Sequence, residues 1–212
     1  MTPEREAKFR QVASRRQPNL TVILENVHDP HNIGAVLRTC DSVGIKEIFV
    51  LYSEPQLHRD RLELGKQSSS GARRWVDVHF YTNTAACFQH VQQHYQKIWS
   101  THLSEDSMDL YDLNLTESVA LLFGNEHDGL SEEALQYSNG NFLIPQIGMV
   151  KSLNISVACA VTLYEAYRQR NQKGYYTSHP LMSKQEAEHL FQYYAEIHDS
   201  KDKRPSVERR DS

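Results

Sequence analysis

Residues 142–170 read FLIPQIGMVKSLNISVACAVTLYEAYRQR and join three kinds of local sequence. The apolar run that ends at Pro145 predicts a strand, and the stretch after it, with Gly148, predicts a loop whose backbone can approach a ligand. A helix is predicted next, with Ser152 as its N-cap, and the free N–H groups of its first turn favour a bound small molecule. By their three- and four-residue spacing, the residues expected on its buried face are Leu153, Val157, Ala160, Val161 and Tyr164.

A strand–helix–strand unit lies nearer the start of the chain. Residues 20–24 and 47–51 are apolar runs that predict two buried strands. The helix between them is expected to begin at Pro30, after the cap Asp29, and to end at Gly44. Its expected inner stripe is Ile33, Val36, Leu37, Cys40 and Val43. Because the two strands are joined through a single helix, we expect them to run parallel.

The alternation of strands and helices continues, so the sequence predicts an α/β fold with a parallel sheet flanked by helices. Further strands are predicted at residues 75–80, 97–100 and 119–123, and further helices at 2–16, 55–66, 83–94 and 183–197, with a short one after Ser131. Residues 68–72 and 106–114 are predicted loops, and the charged tail after 197 is expected to be disordered. Ligands bind at the carboxyl ends of such strands, which makes Gly124–Leu130 and Ile144–Leu153 the expected binding loops.

Composition and length narrow the class of protein. The chain has 212 residues, of which 39% are hydrophobic, and this suits one domain with terminal extensions. It lacks both a run of 18 apolar residues and the apolar segment of a secretory signal, so we expect a cytoplasmic protein without a membrane span. Cys40, Cys87 and Cys159 have no CxxC or Cys/His ligand spacing, and we expect neither a disulfide framework nor a metal site.

Positive charge is concentrated in three places, although the net charge is −4. These are residues 1–16, residues 58–74 and the tail from Lys201. Such islands on an acidic protein are typical of local phosphate docking, and they are also found as solvated faces. The interpretation therefore depends on what else the sequence contains.

Three stretches resemble, in the same order, the three motifs of the SpoU/TrmH family of SPOUT RNA 2′-O-ribose methyltransferases. They are residues 26–44 (NVHDPHNIGAVLRTCDSVG), 121–135 (LLFGNEHDGLSEEAL) and 142–166 (FLIPQIGMVKSLNISVACAVTLYEA). The resemblance implies that the α/β fold contains a deep trefoil knot over about residues 120–170, which spacing alone does not reveal. It also implies an N-terminal helical extension (1–18), a methyltransferase domain (19–170), and a C-terminal helical extension with a charged tail (171–212).

The function implied by the resemblance is S-adenosylmethionine-dependent methylation of a ribose 2′-oxygen in tRNA, at guanosine 18 of the D-loop. A homodimer is implied as well, with the active site completed at the subunit boundary. Two alternatives stay open: methylation of ribosomal RNA or of another tRNA position, and an RNA-binding protein that keeps the fold without catalysis. A doubly wound nucleotide-binding protein is disfavoured, because no GxGxxG follows the first strand.

The resemblance also implies roles for individual residues. The family's catalytic residues fall on Asn32, Arg38, Glu126, Ser152 and Asn154. Its cofactor contacts fall on Thr101, Gly124, Ile144 and Leu153, and Ile147 and Met149 are expected to help line an apolar cleft for the cofactor. The side chains expected to bind RNA are Arg10, Arg15, Arg16, Lys66, Arg73 and Arg168.

Arg38 has the most specific expected role. A guanidinium stays protonated at neutral pH and is a poor free base. We therefore expect Arg38 to grip a neighbouring RNA phosphate and to lower the pKa of the ribose 2′-hydroxyl, so that the proton leaves as the methyl group transfers. Asn32 is expected to fix Arg38 or the ribose, and Glu126 to hold Asn32 or a loop amide. Ser152 and Asn154 can cap a helix and act in catalysis together.

Overall fold

The computed structural model of this protein describes residues 1–64, 71–104, 106–125, 128–150, 152–200 and 206–211. The helices are α1 (Pro3–Ser14), α2 (Pro30–Ser42), α3 (Thr84–His94), α4 (Glu132–Leu135), α5 (Ile155–Gln172) and α6 (Lys184–Asp199). The strands are β1 (Leu20–Glu25), β2 (Glu47–Leu51), β3 (Arg61–Glu63), β4 (Asp77–Tyr81), β5 (Lys97–Thr101), β6 (Met108–Asp109), β7 (Val119–Phe123), β8 (Gly140–Leu143) and β9 (Ser206–Glu208).

Seven of these strands form one sheet in the order β4-β2-β1-β7-β5-β8-β6, and every described pair within it is parallel. The central strand β1 is buried along its whole length, as expected for a strand covered on both faces. One face packs against α2 and α5, and the other against α3 and α4. The predicted α/β fold with a parallel sheet flanked by helices is confirmed.

The helix α2 forms as predicted. Asp29 is its N-cap and accepts a hydrogen bond from the backbone N–H of His31 (2.8 Å). Gly44 follows the helix with a φ of 86°, a conformation that glycine adopts without strain. The five residues of the predicted inner stripe are all buried. Local sequence signals suffice to predict α2, because the N-cap, the glycine after the helix and the apolar stripe all indicate the same helix.

The predicted inner face of α5 is wrong in part, although Val161 packs against the core as expected. Val157 and Tyr164 are exposed, and the buried face contains Ile155, Cys159, Leu163, Ala166 and Arg170. Small and apolar residues lie on every side of this helix, so their spacing fits more than one face. Contact with α2 and the sheet selects the face that is buried.

Residues 55–66 and the C-terminal tail also differ from expectation. Within the predicted helix, the described residues form a 3₁₀ turn at Pro55–Leu57 and the strand β3, while 65 and 66 lie outside the described residues. The tail is ordered over 206–211, where β9 pairs antiparallel with β3 and Arg209 bridges to Phe80 of the edge strand β4. Each strand depends on a partner that is far away in sequence, which local spacing cannot reveal.

Smaller differences concern the predicted loops. Residues 106–114 contain β6, two residues at the edge of the sheet, and a 3₁₀ turn at Leu110–Asp112. Of the predicted loop 68–72, residues 68–70 lie outside the described residues. The predicted helices near both ends of the chain are confirmed, and α1 packs on α6 through Phe9, Ala13, Phe191 and Tyr194. Within the described part of the chain, no helix is both long and apolar enough to cross a membrane.

The carboxylate of Asp211 should contribute measurably to stability. It accepts hydrogen bonds from the backbone N–H groups of Thr82 (2.8 Å) and Asn83 and from the Thr82 hydroxyl (3.2 Å). Asp211→Ala leaves these donors without their acceptor and should lower the free energy of unfolding by about 1–3 kcal/mol, measured by urea denaturation. Glu208→Ala is the control, because its ion pair with Arg61 is exposed and should contribute under about 1 kcal/mol. Equal losses in the two variants would contradict the prediction.

Candidate active site

A cavity of about 610 Å³ lies where β5, β7 and β8 end and α5 begins. These three strands are parallel neighbours, so their carboxyl ends meet at one edge of the sheet. The volume lies within the range of about 300–1,000 Å³ that is usual for small-molecule sites. The lining residues include Thr101, His102, Phe123, Gly124, Asn125, Asp128, Phe142, Ile144, Gln146, Ser152, Leu153, Ile155 and Ala158.

The first predicted binding loop, Gly124–Leu130, forms one wall of the cavity. Its backbone turns back on itself, with a bridge between Asn125 and Gly129. The Asn125 side chain also accepts a hydrogen bond from the backbone N–H of Asp128 (2.8 Å). A Cβ atom at Gly124 would lie 2.2 Å from the Gly129 carbonyl, so the turn requires glycine. Glu126, a predicted catalytic residue, lies outside the described residues.

The second predicted loop, Ile144–Leu153, forms another wall, but not with all the expected residues. Ile144, Ser152 and Leu153 line the cavity. The side chains of Ile147 and Met149 are fully exposed, at 102% and 100%, and they do not line it. The expectation that these two line an apolar cleft is therefore wrong for the described cavity, because this part of the loop projects away from the protein.

Two predicted catalytic residues from distant parts of the sequence meet at the start of α5. The Asn154 side-chain amide donates a hydrogen bond to the side-chain oxygen of Asn32 (3.2 Å). Asn154, rather than the predicted Ser152, is also the N-cap of α5, because its side-chain oxygen accepts from the backbone N–H of Ser156 (2.9 Å). Arg38, on the same helix as Asn32, has an exposed side chain, as expected for a residue outside the inner stripe of that helix. The structure thus places parts of the first and third motifs together, next to the cavity.

Comparison with known proteins assigns the chain to a family. A family model described as "SpoU rRNA Methylase family" matches residues 19–164. The chain belongs to this family. A tRNA (guanosine(18)-2'-O)-methyltransferase of Thermus thermophilus is 41% identical to it over 175 residues, which cover 82% of this chain and 88% of that protein.

Solved structures of related proteins have the same fold as this SpoU family member. The crystal structure of the A. aeolicus TrmH/SpoU tRNA modifying enzyme matches with a TM-score of 0.81 and 31% identity, covering 93% of this chain and 98% of that one. The SpoU methyltransferase AviRb from Streptomyces viridochromogenes, in complex with the cofactor AdoMet, matches with a TM-score of 0.64 and 26% identity. That match covers 74% of this chain and 62% of the AviRb chain.

One side chain of this SpoU family protein that was expected to bind RNA is structural instead. Arg16 is fully buried, forms an ion pair with Asp41 (2.7 Å), and donates to the hydroxyl of Tyr194 (2.8 Å) and the carbonyl of Ile45 (3.0 Å). A buried guanidinium with all these partners does not reach an RNA phosphate. The expectation for Arg16 is wrong because a cluster of positive charges in sequence does not distinguish a buried arginine from an exposed one.

The other candidate RNA contacts stay predictions. Arg15 is exposed, and Arg73 is half-buried and donates to the carbonyl of Leu64 (3.4 Å). Arg10 is half-exposed, bridges Glu6 and Glu188, and lies over the ring of Phe191. Arg168 forms two hydrogen bonds with Glu165 (2.7 and 2.8 Å), and these lower the pKa of that carboxyl. Lys66 lies outside the described residues.

Sequence reasoning missed several side chains of the cavity. His102, Asn125 and Asp128 follow the ends of β5 and β7 within a few residues, and Gln146 follows β8. Their position in the sequence could have indicated them, since polar residues just after parallel strands lie at the edge of the sheet where ligands bind. Among the described residues, no group of three or more His, Cys, Asp or Glu side chains is placed to hold a metal ion.

The structural role of Arg16 can be tested by mutation. Arg16→Ala leaves Asp41 without its ion-pair partner and removes one of the two hydrogen bonds of the Tyr194 hydroxyl. It should lower the free energy of unfolding by about 3 kcal/mol, measured by urea denaturation. The control is the same change at the exposed neighbour Arg15, which should cost less than about 0.5 kcal/mol. An Arg16→Ala protein as stable as the wild type, but with weakened tRNA binding, would restore the RNA-binding role.

Proposed function

We propose that this protein transfers the methyl group of S-adenosylmethionine to the ribose 2′-oxygen of guanosine 18 in the D-loop of tRNA. The observation that carries the proposal is the hydrogen bond between Asn154 and Asn32 beside a cavity lined by residues of the second and third motifs. Residues of all three motifs thus lie around one place at the carboxyl edge of the sheet. The T. thermophilus relative supports tRNA, and position 18 within it, as the substrate.

The residues of the cavity suit S-adenosylmethionine. Phe142, Ile144 and Leu153 provide apolar walls for the adenine, and exposed backbone groups of the loops can bind its edge by hydrogen bonds. The carboxylate of Asp128 favours the positively charged part of the molecule. Thr101 and Gly124 complete the set of predicted contacts that line the cavity. When bound, the cofactor supplies an electrophilic methyl group on a sulfonium.

The remaining predicted residues act on the RNA in this proposal. Direct displacement needs an aligned 2′-oxygen and loss of its proton, and it needs no nucleophile from the protein. Arg38 grips a phosphate of the RNA and lowers the pKa of the 2′-hydroxyl through its positive charge. Asn32 and Asn154 form a polar anchor on the ribose side, with Ser152 at the cavity wall. Glu126 keeps its predicted role of holding Asn32 or a loop amide.

The two alternatives, methylation of ribosomal RNA and an RNA-binding protein without catalysis, are less well supported. The family description names ribosomal RNA, but the match to the T. thermophilus tRNA enzyme covers 82% of this chain, which favours tRNA. Loss of catalysis is disfavoured because Asn32, Arg38 and Asn154 are all present. A tRNA-modifying enzyme would work in the cytoplasm, and we propose that location.

The domain division and the knot belong to the same proposal. The chain passes from β7 through α4 to β8, which pairs with both β5 and β6, and it then returns to pack α5 on α2. This path is compatible with a trefoil knot over about residues 120–170, within a methyltransferase domain of residues 19–170. The segments 1–18 and 171–212 would be extensions, supported by the packing of α1 on α6.

The methyl-transfer assay with nucleotide mapping tests the function. Purified protein, a tRNA transcript and labelled S-adenosylmethionine should give 2′-O-methylguanosine at position 18. Arg38→Lys should lower kcat about 100-fold, because a lysine cannot make a bidentate contact with phosphate. The control is Arg5→Lys, at an exposed arginine of α1, which should stay within about twofold of the wild type. Methylation of ribosomal RNA alone would reject tRNA as the substrate. Near-normal turnover of Arg38→Lys would reject the bidentate contact of Arg38 with phosphate.

We also propose a homodimer that pairs through the outer face of α5. Val157 and Tyr164 are 46% and 53% exposed there, and the Tyr164 hydroxyl lies 3.3 Å from the hydroxyl of Ser42 on α2. Tyr167 adds a third large side chain, on the next turn of the helix. Exposed apolar patches of this kind mark interaction sites, and a second copy would cover them symmetrically.

Sedimentation equilibrium tests the dimer. The wild type should sediment at twice the chain mass of 24.5 kDa, and Tyr164→Glu should shift it to a single chain because a charge would be buried in the interface. Tyr111→Glu is the control, since Tyr111 is similarly exposed but lies in the turn after β6. A monomeric wild type, or a Tyr164→Glu dimer as stable as the wild type, would reject this interface.

A further inference from the structure

Glu25, the last residue of β1, is a buried acid to which the proposed mechanism assigns no role. Its side chain is 0% exposed. One carboxylate oxygen accepts hydrogen bonds from the hydroxyls of Ser53 (2.7 Å) and Ser131 (2.6 Å), and the other accepts from the backbone N–H of Ser131 (2.9 Å). Burying a carboxylate is costly unless donors surround it, and these three offset that cost.

These contacts fix the far end of the loop Gly124–Leu130. The loop begins where β7 ends, and Phe123 of β7 pairs with Leu24 of β1. It ends next to Ser131, which Glu25 holds through both its backbone N–H and its hydroxyl. Two consecutive residues of β1 thus anchor both ends of the loop that forms one wall of the cavity.

The residue after Glu25 directs the chain toward the predicted catalytic helix. Asn26 has a φ of 54°, which few residues other than glycine adopt. Its backbone N–H donates to the carbonyl of Leu51 (2.8 Å), and its side chain donates to Ser53 (2.9 Å). Because the positions of Glu25 and Asn26 are coupled through Ser53, the start of α2 and the wall of the cavity share one buried polar network.

We propose that Glu25 is a positioning residue that holds the loop Gly124–Leu130 in place for the cofactor, acting through Ser131. Glu25 does not line the described cavity, so its effect is indirect. The inference rests on the proposed function, because it assumes that the cavity binds S-adenosylmethionine. It assigns to Glu25 a role in affinity for the cofactor that is separate from its role in stability.

The main experiment measures the Kd of S-adenosylmethionine by titration calorimetry, first for the wild type and then for Glu25→Gln. The glutamine turns an N–H₂ group toward donors that need an acceptor, which should loosen Ser131 and raise the Kd about tenfold. Because the reacting groups are untouched, kcat at saturating cofactor should stay within about threefold. A purely structural role would instead lower the free energy of unfolding without changing the Kd.

Ser53→Ala is the matched control. It removes one hydroxyl donor from the same carboxylate oxygen but leaves both bonds to Ser131. Its Kd should stay within about twofold of the wild type. A Kd that rises as much in Ser53→Ala as in Glu25→Gln would overturn the inference, because the effect would then be a general loosening of the network.

Ser131→Ala breaks the link to Glu25 from the other side. Should Glu25→Gln fold poorly, an unchanged Kd in Ser131→Ala would overturn the inference by itself. Ser131 also caps α4, since its hydroxyl oxygen accepts from the backbone N–H of Ala134 (3.1 Å), so this variant alone mixes two effects. In a double-mutant cycle the two substitutions should be clearly less than additive in their effect on the Kd, since both break the same link. Additive effects would overturn the proposed path through Ser131.

The outcome for the wild type separates this inference from the proposed function. A wild type that does not bind S-adenosylmethionine would reject the cofactor assignment and the inference with it. A wild type that binds, together with a folded Glu25→Gln variant of unchanged Kd, would reject the inference alone. Hydrogen exchange gives an independent readout. The backbone amides of Asn125, Asp128 and Gly129 should exchange faster in Glu25→Gln than in the wild type, but not in Ser53→Ala. Equal exchange rates in Glu25→Gln and the wild type would also count against the inference.

Discussion

The parallel pairing of β1 with β7 is the interaction on which the site depends. Its register sets Leu24 opposite Phe123, so the two strands end at the same level. The predicted catalytic helix α2 leaves from one of them, and the glycine-dependent loop Gly124–Leu130 leaves from the other. A slip of one residue would turn every side chain of a strand to the opposite face of the sheet. Both faces of β7 are buried, so such a slip would exchange the side chains packed on the two helical layers and disrupt the close packing of both.

Buried polar groups hold the ends of the elements that the sheet brings together. Arg170, near the end of α5, donates to the carbonyls of Leu115 (2.8 Å) and Glu117 (2.7 Å) and to the side chain of Asn19 (2.6 Å). Its burial lowers the pKa of the guanidinium to about 10, which still leaves it charged at neutral pH. At the other end of α5, Asn154 caps the helix and contacts Asn32. The helix is thus held at both ends, and its first turn stays beside the cavity.

The predictions that succeeded rest on short-range chemistry. Asp29, Pro30 and Gly44 define α2 because capping, a fixed φ and a positive φ are properties of single residues. Those that failed required a distant partner. Nothing near 61–63 indicates pairing with 206–208, and nothing within α5 selects which of its sides faces α2. Arg16 was assigned to RNA for the same reason, because its burial depends on Asp41, Ile45 and Tyr194.

The amino-acid sequence alone determined the α/β class, the parallel direction of the first two strands, the family and the two loops around the cavity, since these follow from spacing, caps and motif residues. The tertiary structure alone decided which motif residues touch. It joined Asn32 to Asn154, turned Ile147 and Met149 outward, and buried Glu25 against Ser131. The physical reason is that contact and burial arise between segments far apart in the chain, whereas local signals describe one segment at a time.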